Sequence, residues 1–301
     1  MDLYPSDDQA AFRQASIDWL AGNMPLEAAR ARPRGQRDGI AAMGWLQMSA
    51  PADSGGLGLD HATEALVFAE LGRHLAPVAV MSSAVAARWF GRTGKVALAI
   101  RPSEATRVFD PADAPAALLA TSEGALILAV PAGTSSRASL DLSTDQAILA
   151  APQTLDTREG AGAYRHLMLL AAAYALGTAD AACAMAAAYA SIREQFGQPI
   201  GAFQGVKHPC ADMAVRCAVA RSQLYYAACS LDAAASDAAF HVAAAKRLCD
   251  GAALDNARAN IQVHGGIGMT DDASPHLLLK RAHLLQFVCP AQLSNLLERR
   301  F

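Results

Sequence analysis

The sequence predicts a mainly α-helical protein in three parts: an N-terminal helical domain over 1–93, a shortened middle β-domain over 94–158, and a C-terminal four-helix bundle over 159–301. Three observations lead there. The chain is 53% hydrophobic and only 18% charged, and much of the apolar share is alanine, which suits closely packed helices better than sheets. Between residues 94 and 158 the pattern changes to short apolar runs separated by Pro, Gly, Ser and Asp. Beyond residue 160, apolar residues recur at three- and four-residue spacing, the mark of a helix face turned to a core. At 301 residues the chain is long enough to bury a large core across such parts.

Residues 7 to about 92 read as helices. Asp7 or Asp8 can cap the first, whose apolar positions include Phe12, Ile17, Trp19 and Leu20. After Gly44-Trp45 and Pro51 comes Ser54-Gly55-Gly56-Leu57-Gly58. This stretch is not G-x-G-x-x-G and no strand precedes it, so a phosphate loop and a loop closing over a cleft stand as alternatives. An amphipathic helix carrying Ala65, Leu66, Phe68, Ala69 and Leu71 follows and stops at Leu75-Ala76-Pro77; another covers roughly 80–90. The apolar runs 96–100, 117–120, 125–130 and 147–150 read as strands. Helices are then predicted over about 161–194, 203–233, 236–262, 273–286 and 290–300. The second of these places Val206, Cys210, Met213, Cys217, Leu224 and Ala228 toward the core.

Bulk properties exclude several functions. A net charge of −3 provides no field for a polyanion, which argues against nucleic-acid binding. The N-terminus through Asp7-Asp8 is acidic rather than apolar, which argues against a signal peptide and for a cytoplasmic protein. Residues 167–190 could be mistaken for a membrane span. Alanine contributes little to insertion, however, and Asp180 would cost about 2.5–3.5 kcal/mol near the bilayer centre. A buried core helix is the expectation. The six cysteines all lie in the second half, with no C-x-x-C pair, as buried reduced thiols do and zinc ligands do not.

Two stretches could carry chemistry. In Ser191 to His208 a helix stops at Gly197-Gln198-Pro199 and a second starts near Phe203-Gln204, leaving Arg193, Gln195, Phe196 and Gly197 at an exposed corner. A guanidinium forks phosphate oxygens, so the corner is either an anion seat or a plain helix connection with a surface arginine. The second stretch is Gln262-Val-His-Gly-Gly-Ile-Gly-Met-Thr270. Its glycines allow either a helix C-cap or a backbone anion site.

Three features occur in order along the chain. They are Gly44-Trp45…Pro51…Gly55-Gly56-Leu57-Gly58, Arg193-Glu-Gln-Phe-Gly-x-Pro-Ile-x-x-Phe203-Gln204, and Gln262-x-His264-Gly-Gly-Ile-Gly268. In this the sequence resembles the acyl-CoA dehydrogenases, flavoproteins built as helical domain, β-domain and four-helix bundle. The resemblance implies that the arginine corner and the glycine turn reach across a subunit interface to the adenosine diphosphate half of a neighbour's FAD. Arg193 would then meet the pyrophosphate, with Gln195, Phe196, Gly197, Gln204, Gln262, Gly265 and Gly266 lining the same seat.

The departures from that family are as informative. The T-E-P-x-x-G-S-D-like and W-I-T-like segments that hold the flavin ring are absent, and the β-region is about half the usual size. The family reaction removes an α-proton and needs a carboxylate base. At the C-terminal base position, counted from Lys280-Arg281, stands Cys289; at the alternative one, ten residues before Gly177, stands Leu167. His166 adjoins the second, on another helix face.

The chain therefore resembles the truncated subunit of the heteromeric α2β2 acyl-CoA dehydrogenases of bacterial steroid degradation. That implies a full-length homologue as partner, a steroid-derived acyl-CoA substrate and electron-transfer flavoprotein as acceptor. The alternatives are a self-sufficient homo-oligomeric dehydrogenase with an unusual base, and a scaffold subunit that touches no cofactor.

Overall fold

The computed structural model describes residues 4–32, 38–102 and 104–291. The first part is helical: α1 (Asp7–Asn23), α2 (Asp38–Ala42), α3 (His61–Arg73) and α4 (Ala79–Phe90). The cap of α1 is not Asp7 or Asp8 but Ser6, whose hydroxyl accepts from the Gln9 N–H while the Gln9 side chain accepts from the Ser6 N–H. The glycine-rich stretch folds back on the segment before it, since the Leu57, Gly58 and Leu59 N–H groups donate to the carbonyls of Gln47, Ala50 and Met48. Its N–H groups are thereby spent internally, which opposes a phosphate loop. The N-terminus of α3 is capped twice. Asp60 accepts from Thr63, and Asp232 from the far end of the chain accepts from the His61 and Ala62 N–H groups.

The middle part is one seven-stranded sheet: β1 (Val96–Ile100), β2 (Thr106–Phe109), β3 (Ala116–Ala120), β4 (Gly124–Ala129), β5 (Arg137–Ala138), β6 (Asp145–Leu149) and β7 (Thr154–Glu159). The order is β5-β6-β2-β1-β3-β4-β7, with β1 and β3 parallel and every other pair antiparallel. The four apolar runs became β1, β3, β4 and β6; β2, β5 and β7 escaped the sequence reading. Alternation along the central strands splits their side chains between two clusters. Val96, Leu98, Leu118 and Ile127 join the main core under the helices, while Ala97, Ala99, Leu119 and Leu128 face a smaller cluster.

The last part holds α5 (Gly162–Ile192), α6 (Gln204–Asp232), α7 (Ala238–His264) and α8 (Pro275–Leu285). The expected helix over 290–300 lies almost wholly outside the described residues. Helix α5 is the axis of the molecule. By length and composition it could cross a membrane, but 83% of its most apolar window is buried inside the protein. Its Gly177 lets the backbones of α3 and α5 touch: a Cβ there would sit 1.8 Å from the Ala69 carbonyl oxygen. Of the apolar positions expected to face the core on α6, Met213, Cys217, Leu224 and Ala228 are buried, whereas Val206 and Cys210 are half-buried.

A buried arginine joins all three parts. Arg281 on α8 donates to Asp141 beyond β5 (2.5 Å), to Ser143 (2.7 Å) and to the Ala76 carbonyl between α3 and α4 (2.7 Å). Every donor face of its fork is matched, which lets a charged group stay at 0% exposure.

Candidate functional site

Helices α5 and α7 run parallel and end side by side. The contacts between them climb in register: Asn256 Nδ2 donates to the Ala179 carbonyl (3.4 Å), Asn260 Nδ2 to Met185 Sδ (3.4 Å), and His264 stacks on Tyr189. The arginine corner that follows α5 and the glycine turn that follows α7 therefore lie at one end of the bundle.

The corner is more than a helix–turn–helix. Arg193 leaves α5 in an extended conformation, its N–H still donating to the Tyr189 carbonyl. A miniature hairpin follows, β8 (Glu194–Gln195) against β9 (Gln198–Pro199), closed by Phe196 and Gly197 at φ of +52° and +81°. Two successive positive φ values make the tight turn whose twist matches a hairpin. Phenylalanine is an unusual choice there, and Phe196 is also 93% exposed. Gln195 folds onto the Glu194 carbonyl, while the Arg193 guanidinium makes no hydrogen bond or ion pair among the described residues. Gln204 opens α6, whose N-terminus has no side-chain cap.

Across from it, α7 ends at His264, and Gly265 adopts φ +65°, ψ −146°, a conformation open essentially to glycine alone, with its N–H donating back to the Gln262 carbonyl. Gly265 and Gly266 are exposed, and a Cβ on either would meet nothing within 4 Å. Gln262 is exposed one turn below. The C-terminal ends of α5 and α7 present carbonyls, an unfavourable field for an anion. The free Arg193 guanidinium, the uncapped α6 N-terminus and Lys207 in its first turn supply the opposite sign. Lys207 and the pair Tyr189 and His264 were not among the sequence-derived site residues. The signal for the pair was available, as Tyr189 lies one turn before Arg193 and His264 directly before Gly265.

Leu167 and Cys289 also converge, on a different side of the molecule. They line one cavity of about 280 Å³ between the sheet and the bundle, with Tyr164, Arg101 and Thr121. No carboxylate and no histidine is among its described lining residues. Burial, helped by the Asp250 charge, pushes the Cys289 thiol up to about 12, and burial pushes the Tyr164 phenol up to about 12. At neutral pH neither accepts a proton from a carbon acid.

His166 faces away from that cavity. Its Nε2 lies 2.6 Å from Glu64 Oε2, Trp89 Nε1–H donates to its Nδ1 (3.3 Å), and Ser49 donates to the other Glu64 oxygen (2.8 Å). His61 completes the cluster with Nδ1 3.6 Å from Glu64 and without a hydrogen-bond partner. The residues His61, Glu64 and His166 lie close enough to share a metal ion. The Trp89 donor opposes that, because it fixes the His166 proton on Nε2, where a metal would need the lone pair. Burial holds the His166 imidazole below its usual range despite the neighbouring carboxylate, so the ring is a neutral donor to Glu64. No local pattern links His61-x-x-Glu64 to His166, so the sequence reading could not assemble this cluster.

Comparison with known proteins identifies this frame. Residues 6–94 match the acyl-CoA dehydrogenase N-terminal domain and residues 165–288 the acyl-CoA dehydrogenase C-terminal domain. The chain belongs to the acyl-CoA dehydrogenase family. Acyl-CoA dehydrogenase IpdE2 of Mycobacterium tuberculosis is 30% identical over 300 residues, which span 93% of this chain and 92% of that protein. Among solved structures, the ChsE4-ChsE5 complex of M. tuberculosis superposes with a TM-score of 0.75 at 22% identity, covering 99% of this chain and 97% of that one. A Tcur3481-Tcur3483 steroid acyl-CoA dehydrogenase, G363A variant, reaches 0.77 at 20% identity, covering 97% and 96%. The expected fold, with helical ends and a central sheet, is thus an acyl-CoA dehydrogenase fold, and members of this family are FAD-binding oxidoreductases.

Proposed function

We propose that this chain is the non-catalytic subunit of a heteromeric acyl-CoA dehydrogenase, and that it completes the FAD site of a full-length partner. The observation that carries the reading is the cavity holding both family base positions: Leu167 and a neutral Cys289 line it, and among the described residues no carboxylate stands in for them. A cavity lined in this way is unsuited to abstract an α-proton.

The other end of the bundle fits a role in someone else's site. The donor set suits a diphosphate, with one free guanidinium, bare glycine backbone and an uncapped helix N-terminus. Arg193 and the Gly266 backbone would hold the diphosphate, with Gln195, Gly197, Gln204, Gln262 and Gly265 around it. Phe196, strained and solvent-exposed, fits a surface that a partner covers. When bound, FAD supplies the acceptor for the hydride that leaves the acyl β-carbon; the partner would supply its ring contacts and the base. The ChsE4-ChsE5 neighbour is a complex of two proteins, and the Tcur3481-Tcur3483 neighbour is a steroid acyl-CoA dehydrogenase. The first supports a heteromeric assembly and the second a steroid-derived CoA ester as substrate; an α2β2 stoichiometry and electron-transfer flavoprotein as electron acceptor are part of the same proposal.

The test is to express the chain alone and together with a full-length homologue, and to measure bound FAD and mass. The expected result is a colourless lone chain and one FAD per heterodimer. Stoichiometric FAD in the lone chain, with turnover of acyl-CoA, would instead support a self-sufficient enzyme.

A further inference from the structure

The two halves of the proposed diphosphate seat come from different helices, and something must set their separation. Among the described residues no hydrogen bond or ion pair joins the corner over 193–203 to the turn over 265–270. What lies directly beneath both is the Tyr189–His264 stack, with ring centroids 4.1 Å apart and planes inclined by 22°. Tyr189 holds the corner through its carbonyl, which accepts the Arg193 N–H at 2.9 Å. His264 is the last residue of α7 and is bonded covalently to Gly265. Its ring is fixed in turn, because Nδ1 lies 2.9 Å from the Asn260 carbonyl and must therefore carry a proton to donate. The stack is the outermost of the three contacts that align α5 with α7. It is also the one nearest the site.

We propose that Tyr189 and His264 are positioning residues: their stacked rings set the spacing between Arg193 and the Gly265–Gly266 backbone. Resting on the diphosphate reading of that end, the inference adds two residues that touch no phosphate themselves. A bidentate guanidinium and the exposed glycine turn act together only at the right separation, so loosening the stack costs affinity without removing a ligand.

The experiment titrates ADP by calorimetry into the complex with a full-length homologue after its FAD has been removed, with circular dichroism confirming the fold of each variant. Tyr189→Ala and His264→Ala are expected to bind ADP roughly three- to tenfold more weakly than wild type, the range an aromatic pair supports. Tyr189→Phe keeps the ring and is expected to bind as wild type does. Tyr189→Leu keeps the apolar bulk, so it tests the stack even if the alanine variant fails to fold, and it is expected to weaken binding as well. Arg193→Ala serves as the control and is expected to lose binding. If Tyr189→Leu binds normally while Arg193→Ala does not, the positioning role is overturned and the seat stands. A Tyr189→Phe variant as weak as the leucine one also overturns it, since a hydroxyl would then be responsible. If wild type fails to bind ADP, or Arg193→Ala binds it unchanged, the seat and the positioning pair fall together.

Discussion

His166 illustrates how a single neighbour decides a residue's chemistry. Beside Leu167 it invites assignment as a base, but helix geometry turns it by about 100° onto the α3 side, where Glu64 and Trp89 engage both ring nitrogens. Its consequence is for stability against pH. A histidine whose pKa is lowered by folding binds fewer protons in the native state than in the unfolded one. The stability it contributes is therefore complete above its unfolded value of 6.5 and is lost as pH falls below it. Glu64 acts further down. The neighbouring rings outweigh its burial and lower its pKa, so its contribution is present above 4.5 and is lost below. We expect the melting temperature of wild type to fall between about pH 6.5 and 5, and His166→Asn to show a shallower slope there. Equal slopes in the two proteins would contradict this account of the cluster.

At the scale of elements, the packing of α3 on α5 is the tightest backbone approach in the core. Replacing Gly177 with alanine adds about 1 kcal/mol of helix propensity but drives a methyl into the Ala69 carbonyl, an overpacking cost of about 3 kcal/mol. A net loss of about 2 kcal/mol follows, measurable as a lower denaturant midpoint; an unchanged midpoint would mean that the two helices separate more easily than their packing suggests. The same elements show what was legible beforehand. Helices α5, α6 and α7 were readable because long amphipathic or apolar runs persist for many turns. Strand β7, with the sequence Thr-Leu-Asp-Thr-Arg-Glu, is exposed along its whole length at a sheet edge, so no burial pattern marked it. The hairpin at the corner was hidden for a related reason. Two-residue strands have no periodicity, and a phenylalanine at positive φ is not a turn signal.

At the scale of the whole molecule, the two candidate sites lie apart and are built from stretches that are unrelated in the sequence. The arginine corner and the glycine turn could be singled out individually, but their convergence needs the parallel register of α5 and α7. Leu167 and Cys289 could be placed against the base positions only through resemblance; that they line one cavity is a tertiary fact. The cluster of His61, Glu64 and His166 lay beyond sequence reading altogether, since Glu64 and His166 are 102 residues apart. On the proposed reading, one end is a half-seat for an anionic cofactor, and the cavity at the family base positions has no carboxylate among its described lining residues. The central claim is that Arg193 serves a partner's FAD, and its most direct measurement is the flavin content of the assembled complex carrying Arg193→Ala. The account predicts a complex of unchanged mass that has lost most of its FAD absorbance. A complex that assembles and retains its full FAD would contradict it.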